Sequence, residues 1–290
     1  MKLEVKKIRK RFEGKEVLKG VGFSVESGRA LGLLGRNGAG KTTTIRIIMD
    51  IFRADEGEVL LDGTPFDPAK NQVGYLPEER GMYPKKTVIE QMVYFAKLRG
   101  LDRASAIKNA QKWLSRLKIN EYEKRKMDTL SKGNQQKVQL AATLVCDPDI
   151  VVLDEPFSGL DPVNSQILKD VVRELISEGK IVIFSSHQMS YVEEFCDNIA
   201  VINHGEGVLA GELKESRKEY GRNRLMLAAE NYSLDELAQK AQREWNAIVN
   251  VSGRKKEFLI LELKEKTDRR GFLEQLMRSD VEVEKFGGYE

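Results

Sequence analysis

Gly35, Gly40, Lys41 and Thr42 stand in the order Gly-x-x-x-x-Gly-Lys-Thr. An apolar run, Leu31 to Leu34, leads into them, and apolar residues at helical spacing, Ile45, Ile48 and Met49, follow. The stretch therefore reads as strand, glycine-rich loop and helix, with every fixed position of a phosphate-binding loop filled. Glycine lets a backbone turn sharply and come close to a polyphosphate. Successive N–H groups through Gly35, Arg36, Asn37, Gly38, Ala39 and Gly40, with the helix N-terminus behind them, make a nest for anions. Lys41 is placed to reach the outer phosphates. The Thr42 hydroxyl, with Thr43 beside it, suits Mg²⁺, a hard cation that takes oxygen ligands. The chemistry this implies is nucleotide binding.

A second stretch, Asp149-Ile-Val-Val-Leu-Asp154-Glu155-Pro156, is a β-branched run ending in two acids. In a parallel α/β sheet, ligands bind at the C-terminal ends of strands. Asp154 is expected to hold Mg²⁺, and Glu155 to orient or deprotonate an attacking water. Ile181 to Phe184 is another short buried strand, followed by Ser185-Ser186-His187. One histidine at a strand end is ambiguous by itself. His204 lies in Asn203-His204-Gly205, a turn, where no chemistry is expected.

These residues need a scaffold. The chain has 290 residues, a length that suits one large and one small domain. Apolar residues at 41% and charged ones at 32% describe a soluble globular protein. Lys+Arg 48 against Asp+Glu 45 gives only +3, too even for a basic nucleic-acid-binding domain, so no nucleic-acid partner is expected. No run approaches the ~18 apolar residues of a membrane span. The N-terminus, MKLEVKKIRK, lacks the apolar core of a signal peptide. Cys146 and Cys196 have no CxxC partner, which argues against zinc or a disulfide framework and for buried thiols in a reducing cytoplasm.

Residues 1–30 alternate apolar and polar side chains and read as two or three antiparallel strands, with turns at Glu13-Gly14 and Ser27-Gly28. Phe12, before the first turn, reads on periodicity alone as edge packing. Short strands are expected over 57–63 and 73–77, then a charged loop over 78–86. From Thr87 to about Arg125 the pattern is helical and amphipathic. Ser131 fits a helix N-cap. A helix is expected from Val163 to Glu178. Beyond residue 222 the order strand, helix, strand, strand, helix, strand (224–228, 234–245, 247–251, 258–263, 269–277 and 281–284) suggests a small ferredoxin-like domain.

The Gly35–Thr43 loop, Leu130-Ser131-Lys132-Gly133-Asn134-Gln135-Gln136, and Val151 to Pro162 follow one another in order, with Ser185-Ser186-His187 after them. Together they resemble the nucleotide-binding subunit of ABC transporters over about residues 2–213. The resemblance implies an α/β fold: a P-loop NTPase cassette over 1–215, with a mixed sheet core, an antiparallel β subdomain and a helical subdomain at about 87–130. A small α+β domain over 222–290 would follow. It implies an ATPase that uses ATP and Mg²⁺ and works as a homodimer or pseudo-dimer. It would sit on the cytoplasmic face of the cell membrane and drive a separate multi-span permease. On this resemblance Phe12 stacks on adenine, His187 contacts the γ-phosphate and Asp161 couples two sites across the dimer. Ser131, Lys132, Gly133 and Asn134 form a signature acting on the partner's nucleotide. That signature departs from the usual Leu-Ser-Gly-Gly-Gln, with Lys132 for a glycine and Asn134 for the glutamine. Glu78 stands where many relatives place a glutamine that touches Mg²⁺. The run Gly74-Tyr-Leu-Pro-Glu-Glu-Arg-Gly81 is similar to sodium-extruding and drug-resistance exporter ATPases, which carry an accessory C-terminal domain and often continue beyond it. The alternative is a soluble ABC ATPase working on ribosomes or DNA. Such relatives usually have two cassettes, zinc cysteines or a coiled-coil insertion, none of which is legible here.

Overall fold

Alternating apolar residues at the N-terminus build a long hairpin. β1 (Lys2–Phe12) and β2 (Lys15–Glu26) pair antiparallel about a two-residue turn, Glu13-Gly14, with both residues at positive φ. The structure, a computed structural model, describes residues 1–79, 81–221, 223–264 and 269–289. Arg80 of the Gly74–Gly81 run, Arg222 at the expected start of the second domain and Glu290 lie outside them. The chain divides into two compact units, Met1–Leu213 and Lys214–Glu290.

In the first unit β3 (Ala30–Leu34) leads through the glycine loop to α1 (Lys41–Ile48). β4 (Glu56–Leu61) and β5 (Thr64–Pro65) close on Asp62-Gly63 and join the hairpin in a four-stranded antiparallel sheet, β2-β1-β4-β5. β6 (Val73–Leu76) then precedes two helices, α2 (Val88–Leu98) and α3 (Arg103–Arg116). Thr87 and Glu90 cap α2 reciprocally, and Asp102 caps α3. α4 (Lys132–Leu144), β7 (Ile150–Leu153), α5 (Pro162–Ser177), β8 (Ile181–Ser186), α6 (Met189–Phe195), β9 (Asn198–Asn203) and β10 (Glu206–Glu212) complete the unit.

The central sheet has the order β10-β9-β3-β8-β7-β6, parallel except for the edge strand β10. Ile150 and Val152 face one core together with Leu31, Leu33 and α1, while Val151 and Leu153 face the other with α4 and α5. Every residue of β3, β7 and β8 is buried. Burial on both faces is why these strands are continuous apolar runs rather than alternating ones. The register matters for function. Leu34 pairs with Ser186, Leu153 with Phe184 and Leu76 with Leu153. The residues after each strand (Gly35, Pro77-Glu78, Asp154-Glu155 and His187) therefore emerge along one edge of the sheet.

In the second unit α7 (Leu213–Gly221), which starts at the end of the first, leads to β11 (Arg224–Ala229), α8 (Leu234–Glu244), β12 (Val249–Lys255), β13 (Phe258–Leu263), α9 (Arg269–Met277) and β14 (Val283–Gly288). The sheet order is β12-β13-β11-β14, antiparallel throughout. Leu225, Leu227, Trp245, Leu261 and Phe272 fill its core. Two strands lie a few residues later than the apolar pattern predicts. Val281 is buried in the core from a loop, and pairing with β11 begins only at Val283.

One polar cluster staples this unit. Lys240, on α8, is buried and meets Glu244 at 2.8 Å and Asp280 at 2.7 Å, with the Tyr232 ring 5.4 Å from its Nζ. The Lys240 ammonium, with the Tyr232 hydroxyl, holds the Asp280 carboxyl down at about 2 from an ordinary 3.8. The stabilisation is whole above pH 4, where an unfolded aspartate would also be ionised, and is lost as pH falls through 2. Asp280→Asn should therefore melt earlier than the parent at neutral pH, and the gap should close between pH 4 and 2, as followed by calorimetry.

Candidate functional site

The loop after β3 is shaped by backbone rather than by side chains. Gly40 has φ of 113° and is the N-cap of α1 with no side-chain cap, so the first N–H groups of the helix are left open to an anion. A Cβ at Gly40 would also stand 2.6 Å from Leu18 Cδ2. In front of the loop lies a cavity of about 400 Å³, lined by Arg36, Asn37, Gly38, Gly40, Lys41, Thr42 and Thr43 together with Val17, Glu78 and Glu155.

Three side chains form a line from this cavity outward. Lys41 Nζ donates to the Gly35 carbonyl at 2.8 Å and stands 3.2 Å from Glu155 Oε1. Glu155 Oε2 lies 3.0 Å from His187 Nδ1. Lys41 and Glu155 are buried, whereas the His187 side chain is 45% exposed. Glu155 itself has φ of 49°, in the left-handed region that non-glycine residues avoid, at a cost of about 1–3 kcal/mol.

Beneath this line Ser185 joins the two acids. Its Oγ accepts the Glu155 N–H at 2.8 Å and donates to Asp154 Oδ1 at 2.6 Å. Asp154 is 1% exposed, and its second oxygen, Oδ2, is buried without a hydrogen-bond partner. Burial pushes the Asp154 carboxyl above the usual carboxylate range. Hydrogen bonds from Ser185 and Thr42 oppose the rise, and the neighbouring Glu155 adds to it. A buried carboxylate, beside a threonine hydroxyl, is a donor set that fits a hard divalent cation.

The remaining expected residues fall in two other places. Phe12 ends β1 with its ring partly exposed, edge-on to Phe52 at 5.3 Å and 5.5 Å from Lys10 Nζ; it does not line the cavity. Ser131 caps α4, accepting the Asn134 N–H at 3.4 Å, and Lys132 is exposed. A Cβ at Gly133 would come 2.9 Å from Asn164 Nδ2. Asn164 is held by Asp161, which caps α5: Oδ1 accepts its N–H at 2.9 Å and Oδ2 its amide at 2.6 Å. The Asn164 N–H holds the Asp161 carboxyl below its ordinary range. Ser131 to Asn134 and Asp161 thus make a second cluster, and none of them lines the cavity at Lys41.

Three residues of the site escape a reading of the sequence: Val17, which there is only an apolar strand residue, Ser185, only the lead-in to His187, and Asn164. The signal for Ser185 is the sheet register, which sets it beside Asp154, and no one-dimensional spacing carries that. For Asn164 the sign is local: a polar residue three positions after Asp161, at the start of a helix with Pro162 in its first turn.

The ABC transporter family model matches residues 18–158. The uncharacterized ABC transporter ATP-binding protein YhaQ of Bacillus subtilis (strain 168) is 41% identical over 230 residues, 79% of this chain and 77% of its own. The linearmycin resistance ATP-binding protein LnrL of the same organism is 34% identical over 213 residues, covering 72% and 68%. A solved structure of an ATP-binding subunit of an ABC transporter superposes with a TM-score of 0.71 at 28% identity, over 84% of this chain and 100% of that one. Likeness of this extent, on a cavity built as described, settles the family: the chain belongs to the ABC transporters as an ATP-binding subunit, an ATPase.

Proposed function

We propose that the cavity at Lys41 hydrolyses ATP to drive export through a separate membrane permease. The observation that carries the proposal is the contact line Lys41–Glu155–His187, set over the buried Asp154. Lys41 and the open N–H groups of the loop hold the outer phosphates. Glu155 orients the attacking water and accepts its proton, and His187, at the other oxygen of Glu155, contacts the γ-phosphate. Thr42 and Asp154 hold Mg²⁺, with Glu78 at the cavity wall as a further oxygen donor. When bound, the ion neutralises charge on the β- and γ-phosphates. Phe12 offers its exposed ring to adenine.

The second cluster supports action as a pair. Ser131, Lys132, Gly133 and Asn134 sit away from the chain's own phosphate loop, at the N-terminus of α4, where N–H groups and dipole suit the γ-phosphate of a second subunit. Asp161, through Asn164, abuts Gly133 and so joins the signature to the turn after Glu155. ATP closes the pair and hydrolysis reopens it, which biases the permease between two states.

The permease is read from the surface and the relatives. Tyr83, Tyr94 and Leu98 are exposed on α2 and the loop before it: the two tyrosines line a hollow of about 410 Å³ with Lys86, Glu90 and Gln91, and Leu98 lines a groove of about 330 Å³ between β6, α2 and α4. Among the described residues no helix is long and apolar enough to cross a membrane; the separate spanning chain is read from relatives named as ATP-binding proteins of transporters. The outward direction rests on the linearmycin-resistance name of LnrL and the Gly74–Gly81 run. The unit from Lys214 onward, with its βαββαβ order and strand order β12-β13-β11-β14, is read as a ferredoxin-like accessory domain that regulates or supports the dimer.

Glu155→Gln should bind ATP, lose turnover by about 100-fold or more, and accumulate as an ATP-bound dimer in size-exclusion chromatography. Turnover near the parental rate would remove Glu155 as the base. Capturing the tagged chain from detergent-solubilised membranes should bring down a stoichiometric multi-span protein, identified by mass spectrometry. Ribosomal or DNA-repair partners with no membrane protein would overturn the transport role and leave the ATPase standing.

A further inference from the structure

His187 is half-exposed, yet its Nδ1 is aimed at the buried Glu155 carboxylate at 3.0 Å. An imidazole with that much freedom does not fix its own direction; the backbone that carries it must. Two residues later α6 begins, a helix of seven residues with no side-chain cap. So short a helix does not hold itself, and its place depends on what it packs against.

It packs on a ring from the other side of the site. Phe157, two residues after Glu155, is buried. Its ring lies against that of Tyr191, on α6, with centroids 4.2 Å apart and planes 9° from parallel. Phe195, one turn on, continues the parallel arrangement with Phe157 at 5.8 Å and 7°. Lys169, on α5, reaches over the Tyr191 ring at 5.5 Å and bonds Glu194 at 2.6 Å. The helix that follows His187 is thereby clamped to the turn that presents Glu155.

We infer that Tyr191 is a positioning residue for ATP hydrolysis: its ring, stacked on Phe157, sets the His187 loop in register with the Glu155 turn. The inference rests on the roles proposed above for Glu155 and His187. The planar ring carries the effect, because stacking needs its face and not its hydroxyl. Tyr191 does not line the cavity, so its loss acts on the chemical step and leaves nucleotide binding alone.

The test is a kinetic cycle on the full chain. Tyr191→Ala should lower kcat for ATP about tenfold and leave KM within about twofold, and Tyr191→Phe should restore kcat to within about twofold of the parent. In a His187→Ala background, adding Tyr191→Ala should change kcat by less than about twofold, since the group it positions is gone. Tyr191→Leu, which keeps an apolar side chain but no ring, should repeat the Ala result if the Ala variant folds poorly. A full additional loss in the His187→Ala background, a rise in KM at unchanged kcat, or a Tyr191→Phe variant as slow as Tyr191→Ala would overturn the inference alone. A His187→Ala enzyme with parental kcat would instead remove the role of His187, and this inference with it.

Discussion

The structure of the cassette depends on one constraint: β3, β8, β7 and β6 run parallel in a fixed register, the first three buried on both faces. A one-residue slip in any of them would move its apolar set to the opposite core and carry its terminal polar residue away from the others. Burial thus protects the site as well as the fold. Gly35, Asp154, Ser185 and His187 come from distant parts of the chain, and they meet because Leu34 pairs with Ser186 and Leu153 with Phe184. The antiparallel sheet and α1 close one face, and α4 and α5 the other, so that β3, β7 and β8, strands of four to six residues, are buried along their whole length.

Much of this is legible in the order of the amino acids. The phosphate loop, the two acids and the hairpin turn at Glu13-Gly14 are local patterns, in which residue type and spacing dictate backbone conformation directly. What the sequence withholds is mostly non-local. α6, β9 and β10 leave little trace in it: α6 is short and uncapped, and β10 is exposed along most of its length, which erases the apolar alternation that marks a strand. His204-Gly205, a bare turn in the sequence, joins β9 to β10 with both residues at positive φ. The late start of β12 and β14 has a similar origin, because an apolar residue such as Val281 fills a core from a loop as readily as from a strand.

In the site, the sequence supplies identities and the sheet supplies pairings. That Lys41 meets Glu155, that Glu155 meets His187, and that Ser185 ties both acids together are facts of register. The resemblance to a family proposes roles for residues that periodicity alone would discard, Phe12 and His187 among them. The fold sets Phe12 on a platform with Phe52 rather than at the cavity wall, and it sets the signature beside Asp161, which spacing along the chain does not reveal.

The backbone at Glu155 has one more implication. A left-handed φ of 49° is ground that glycine and asparagine occupy with little strain and a long side chain does not. The turn after β7 is therefore held in a conformation its own residue disfavours, fastened by the Ser185 bond on one side and the Phe157 stack on the other. Selection for thermal robustness alone would drift this position toward glycine or asparagine. That a glutamate stands there marks the point at which the chain gives up stability to keep an acid facing the phosphate loop.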